Sequence, residues 1–111
     1  MALTEHYTGD VALTAGTAST IDAAITTAGL YNVQGDASAL ANPDEVLWLI
    51  VLIKPQSLNT ERELDRFVIA RGGGTPDFES PWYRCQASLK FQLLQVGGTG
   101  RTIEVTIGKI A

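Results

Sequence analysis

No lysine or arginine occurs before Lys54, so residues 1–53 carry acids alone: Glu5, Asp10, Asp22, Asp36, Asp44 and Glu45. All the bases follow (Lys54, Arg62, Arg66, Arg71, Arg84, Lys90, Arg101, Lys109), set against Glu61, Glu63, Asp65, Asp77, Glu79 and Glu104. The formal charge is about −6 up to residue 53 and about +2 beyond it. Polarity of this kind suits self-association or docking on a partner of complementary charge. A net charge of −4 argues against nucleic acid as the main partner, since duplex binding draws on a basic face that neutralises several phosphates together.

Cysteine and histidine are equally scarce. A lone Cys85 forms no intramolecular disulfide, which fits a reducing compartment, and its place in the apolar phase of a strand favours an inert, buried thiol. His6 is the only histidine and lies near the terminus, so a Ser-His-Asp or Cys-His arrangement has little to draw on. Zinc and EF-hand spacings are absent; Asp44 with Glu45, and Asp77 with Glu79, read as solvated loop charge. Gly97 to Arg101 lacks the Gly-Lys-Ser/Thr ending of a phosphate loop. No catalytic residue, metal ligand or cofactor is expected.

Long apolar runs are missing too. The longest, Val46 to Ile53, falls far short of the roughly 20 residues that a membrane-crossing helix needs, so no membrane association is expected. The opening Met1-Ala2-Leu3-Thr4-Glu5 has neither the basic start nor the apolar core of a secretory signal.

What the chain does have is 111 residues, 45% of them apolar, which suits a single domain over 1–111 with one core. Charged residues are only 18%, below the roughly 25% usual for soluble domains, so Thr, Ala and Gly must cover much of the surface. Such a surface costs less to desolvate and favours extensive protein contact.

Val46-Leu47-Trp48-Leu49-Ile50-Val51-Leu52-Ile53 is β-branched and continuous, which predicts a central strand buried on both faces with Trp48 in the core. Asp44, Glu45, Lys54 and Pro55 flank it as gatekeepers. Residues 82–96 alternate Tyr83, Cys85, Ala87, Leu89, Phe91 and Leu93 against Gln86, Ser88, Lys90 and Gln92, and 102–107 alternate again after a Gly-rich turn. This predicts a terminal β-hairpin. Asn32 to Asn42 reads as a loop closed by Asn42-Pro43-Asp44.

Two segments stay open between helix and strand. In 19–28, Ile21, Ala24, Ile25 and Ala28 have helical spacing but the threonines favour extension. In 61–71, Thr60-Glu61-Arg62-Glu63 matches a capping box while the residues after it also alternate. The fold class is therefore mainly β, an antiparallel sandwich or barrel-like domain with one short helix over about 61–71 as an option, α+β being the alternative. Residues 6–13 alternate weakly, as either an edge strand or an extended arm would; as an arm, residues 1–15 would be separable from a domain that folds without them.

Five residues are candidate interface positions. Tyr7 lies in the arm, Arg62 and Arg66 form a basic strip, Phe78 sits at an acidic aromatic loop tip, and Trp82 stands at a loop exit where aromatic anchors are common. Trp82, Tyr83 and Phe78 could alternatively form a stacking platform for carbohydrate in a small ligand-binding sandwich.

The length, low charge, abundance of Thr, Ala and Gly, N-terminal segment and β-rich remainder together resemble small virion proteins of tailed bacteriophages, in particular the capsid decoration or cement type. The resemblance implies a non-enzymatic protein of the virion. It would associate with itself as a symmetric oligomer such as a trimer and reinforce contacts between major capsid subunits. A tail, connector or fibre-attachment component fits the same features.

Overall fold

The computed structural model describes residues 3–54, 56 and 60–110, and every regular element among them is a strand. In chain order these are β1 (Leu3–Ala12), β2 (Ser19–Thr20), β3 (Gly29–Asp36), β4 (Val46–Lys54), β5 (Arg62–Arg71), β6 (Asp77–Glu79), β7 (Tyr83–Cys85), β8 (Ser88–Val96) and β9 (Thr102–Ile110). They build two antiparallel sheets packed against each other. Sheet A has the order β1-β9-β3-β6 with β7 also on β3, and sheet B has the order β2-β8-β4-β5. No helix among the described residues is long and apolar enough to cross a membrane.

The period of two decides which residues meet between the sheets. Sheet A turns Val11, Tyr31, Val33, Ile103, Val105 and Ile107 inward, and sheet B turns Leu47, Leu49, Val51, Leu89, Phe91 and Leu93 to meet them. A cross-sheet hydrogen bond runs from Tyr83 Oη to Asp65 Oδ2 at 2.9 Å. Burial and then the Asp65 carboxylate push the Tyr83 hydroxyl well above the usual phenol range, so it stays a donor.

Neither open segment is helical: 19–28 is the short strand β2 followed by bends and a single bridge at Ile25, and 61–71 is strand from Arg62 on. Ile21 and Ile25 donate to Phe91 and Leu89 of β8 at 2.8 and 2.7 Å, so the backbone of this stretch bonds across to a neighbouring strand rather than to its own next turn. The helix option over 61–71 gives way to β5, which pairs along β4 and satisfies that strand's far edge. Bulges after Leu47 and Val51 explain the ambiguous pattern. They leave Ile69 and Leu64 without a register partner and reverse the parity of the strand, so that Ala70 points inward while Arg66 points out.

Three further expectations are corrected. β8 and β9 do not form a hairpin with each other, because β8 lies between β2 and β4 whereas β9 lies between β1 and β3. Their connection crosses from sheet B to sheet A through Gly97 and Gly98, both at positive φ (88° and 69°), a region open to glycine at little steric cost. Likewise the alternating run 82–96 changes sheets between β7 and β8. The polar stretch from Asn32 to Asp36 is no loop but the body of β3, whose polar side chains lie on the outer face.

Of the two readings of the N-terminal segment, the edge strand is the one observed. Over its described residues the segment forms β1, paired with β9 from Leu3↔Ile110 to Ala12↔Thr102, and it delivers Val11 and Leu13 to the core. Residues 1 and 2 of that segment, and Pro55 of the gatekeepers, lie outside the described residues.

Glu45 corrects the solvated-charge reading. Its side chain is fully buried; Arg101 donates to it from Nε at 3.1 Å and Nη2 at 2.9 Å, and the Ala41 and Asn42 amides donate at 2.6 and 3.2 Å. Gln95, equally buried, donates to the Gly97 and Thr99 carbonyls and accepts from the Arg101 amide. These contacts hold the sheet-crossing turn against the 41–45 loop.

Candidate functional site

The outer faces of the two sheets differ in chemistry, and the register defines each. On sheet B the outward residues of β4 are Val46, Trp48, Ile50, Leu52 and Lys54. Val96, Leu94, Gln92 and Lys90 flank them on β8, and Arg71, Val68, Arg66 and Glu63 on β5. Val68 is 41% exposed and Val96 46%, with Val46, Trp48 and Leu94 half-buried between them, so an apolar strip crosses the solvent side of the sheet. Isolated exposed apolar residues are ordinary, but a contiguous set marks a surface suited to protein contact.

The border of this strip is basic. Arg66 Nη2 lies 2.8 Å from Glu63 and Lys90 Nζ 3.3 Å from Glu61, whereas Arg71 and Lys54 have no ion-pair partner among the described residues. Both pairs are solvent-accessible and contribute little stability.

Sheet A presents the opposite sign. Asp10 pairs with Glu104, Glu104 with Asp36, and Asp36 with Asp77, which places a row of carboxylates side by side across β1, β9, β3 and β6. The adjacent row is Thr8, Thr106, Gln34 and Glu79, with Thr8 and Thr106 joined through their hydroxyls at 2.8 Å. Together they line an open groove of about 710 Å3 floored by Gly9, Gly35 and Val105. Like charges directly opposite one another destabilise a sheet, so this row is an unfavourable arrangement that an incoming cationic surface would relieve. The carboxylates are strung along the sheet, and no group of His, Cys, Asp or Glu among the described residues could hold a metal ion.

The sequence-nominated positions do not converge on one site. Tyr7 is half-buried on the inner side of β1 opposite Ile107, and Phe78 is only 7% exposed, packed against Gly35, where an added β-carbon would strike its ring. Both belong to the body of the fold. Arg62 is exposed at the start of β5, and Arg66 borders the apolar strip. Trp82 is half-buried on the outer face of sheet A, over Gly108 and beside the fully buried Asn32. A carbohydrate platform of Trp82, Tyr83 and Phe78 does not exist, because Tyr83 and Phe78 are in the core.

Cys85 is 1% exposed, its thiol donating to the Ile25 carbonyl at 3.3 Å. Burial pushes its pKa up, away from the thiolate that nucleophilic chemistry requires. His6 stacks edge-on against Tyr31 at 5.2 Å.

Sequence reasoning missed the strip of Val46, Trp48, Val68, Leu94 and Val96, although a signal was present. A strand that is apolar at every position inside a two-layer sandwich has only one face to bury, so the other must meet solvent or a partner. The Leu93-Leu94 step, which breaks the alternation of β8, is a second sign. No protein-family model matches the chain, and no curated protein matches it.

Proposed function

We propose that this chain is a non-enzymatic structural protein of a bacteriophage particle, of the capsid-decoration type, that works by covering and joining protein surfaces. The observation carrying this reading is the outer face of sheet B, where Trp48, Val68, Leu94 and Val96 form an apolar strip inside a basic border. A protein that acts alone in water gains nothing from such a face, whereas a component of a lattice recovers the cost of exposing it once a neighbour is seated. The Thr-, Ala- and Gly-rich composition and the low charge support the same reading, since they reduce the desolvation cost of broad contact.

The reading is tested on particles assembled in cells that carry the gene. Purified particles are analysed by quantitative mass spectrometry and electron microscopy. Co-purification in a fixed ratio to the major shell subunit, with added density on the outer shell, is the expected result. A fixed ratio to tail components instead would move the protein to the tail, and absence from particles that are otherwise complete would remove the reading.

A further inference from the structure

The two outer faces of the sandwich are opposite in charge and lie back to back. Sheet A carries Asp10, Asp36, Asp77, Glu79, Glu104 and Glu5 outward, against Arg84. Sheet B carries Lys54, Arg66, Arg71 and Lys90 outward, against Glu63 and the Glu61 carboxylate that reaches Lys90. Both halves of the chain build the acidic face, since β1 and β3 bring Glu5, Asp10 and Asp36 and β6 and β9 add Asp77, Glu79 and Glu104, while β5 and β8, which hold Arg66, Arg71 and Lys90, lie in sheet B.

We propose that the occupant of the sheet B strip is a second copy of this chain, docked by the acidic outer face of its sheet A. Charge selects this pairing over the alternatives. Two sheet B faces brought together would set Arg66, Arg71, Lys54 and Lys90 against themselves, and two sheet A faces would set the carboxylate rows against each other. Sheet A against sheet B instead places cations on the row of Asp10, Glu104, Asp36 and Asp77, whose members already repel. Apolar surface is present on both sides. Leu30, 37% exposed, lies with half-buried Ile110 and Trp82 on the outer face of sheet A, available to the strip of Val68, Trp48, Leu94 and Val96.

The dimensions suffice. The molecule measures 40 × 31 × 18 Å. A broad face therefore offers on the order of 1,000 Å2 in outline, comparable to the about 800 Å2 per partner of a specific interface.

The geometry also determines the kind of assembly. A contact that uses different faces of each copy is heterologous, and it closes into a ring only when its rotation allows. A small closed trimer needs contact faces inclined to one another. Here they point in opposite directions, so copies add as an open stack or a wide ring whose mass grows with concentration. The inference rests on the assembly reading in one respect, that the face is covered by protein.

The test is sedimentation velocity and light scattering of the full chain over a wide concentration range, at roughly 0.01 M and 1 M salt, where the Debye length is about 30 and 3 Å. Mass should rise without a fixed end point at low salt, and association should weaken about tenfold or more at high salt, the equivalent of ~1.4 kcal/mol. Two charge-reversed variants are compared, R66E/R71E on sheet B and D10K/D77K/E104K on sheet A, each checked for fold by circular dichroism. Each alone should remain monomeric where the parent associates, and mixing them should restore association, because each then offers the face that the other lacks.

A parent that is monomeric throughout, a dimer of fixed mass, or variants whose mixture stays monomeric would overturn the proposal. Should the triple variant not fold, R71E alone decides. Among the described residues Arg71 has no ion-pair partner to lose, so weaker association supports the proposal and unchanged association overturns it. A monomeric parent that is nevertheless found in purified particles would remove this contact and leave the particle role standing. Stacking by a chain absent from particles would do the reverse.

Discussion

Glu45 and Arg101 form an ion pair whose carboxylate is sealed from solvent, with Arg101 Nη2 2.9 Å from Oε2 and the guanidinium side chain itself 30% exposed. The hydrogen bonds from Arg101, reinforced by the Ala41 and Asn42 amides and opposed by burial, hold the Glu45 carboxyl down at about 2 from an ordinary 4.5. A depressed carboxylate pKa contributes stability that is fully present above the unfolded value and is lost as pH falls through the folded one. The contribution should therefore be constant above about pH 4.5 and disappear between there and about pH 2.

Melting curves of the parent and of E45Q across that range check this. The parent should be more stable at pH 6, and the gap should close as the pH falls. A gap that stays constant down to pH 2 would separate the pair from acid stability. R101A should lower the melting temperature well beyond R66A, since the first strands a buried charge and the second breaks a pair that is accessible on both sides.

Glu104 stands between Asp10 and Asp36 in the carboxylate row. Replacing it with an uncharged residue of similar shape removes like-charge opposition on both sides. E104Q should gain stability of about 0.2–1 kcal/mol at low salt, with the gain shrinking toward zero at about 1 M salt as screening shortens to ~3 Å. Denaturant melts at the two salt strengths measure it. Loss of stability in E104Q would show that the carboxylate serves the fold.

Trp48 and Leu49 are neighbours in one strand and face opposite ways. Leu49 is fully buried between the sheets, while Trp48 is half-buried on the outer face opposite Leu94 and Val68. L49A should cost about 2–5 kcal/mol as a large-to-small core change. W48A should cost clearly less in the isolated chain, and its effect should appear in association instead. Equal losses at the two positions would place Trp48 in the core and remove the strip's centre.

The β class and most inward-facing residues were legible from periodicity alone: Tyr83, Cys85, Leu89, Phe91 and Leu93 all face the core as their alternation indicates. What the pattern could not show is which strands are partners. Gly97 to Gly100 between two alternating runs has the composition of a hairpin turn, yet whether β9 folds back on β8 or crosses to β1 and β3 depends on long-range pairing that no local signal encodes. The bulges at Ile69 and Leu64 hid β5 for a related reason, since one extra residue inverts the parity on which the strand pattern depends. The charge imbalance was visible at once. The two oppositely charged faces required the register, because Asp10, Glu104, Asp36 and Asp77 come from both halves of the chain and are adjacent only across strands.

The N-terminal strand provides the sharpest test of where the domain ends. An arm would leave a folded remainder after deletion of the first 12 residues, but β1 pairs along β9 and contributes Val11 at 8% exposure to the core. Its removal exposes the inner side of Ile103, Val105 and Ile107 and leaves the β9 edge unpaired. The deleted chain should lose its cooperative thermal transition or aggregate through that edge, as an uncovered strand of alternating apolar residues does. V11A, a milder change on the same face, should remain folded with reduced stability. Retention of a cooperative transition near the parent's temperature by the truncated chain would show that the strand is dispensable and return it to the status of an arm.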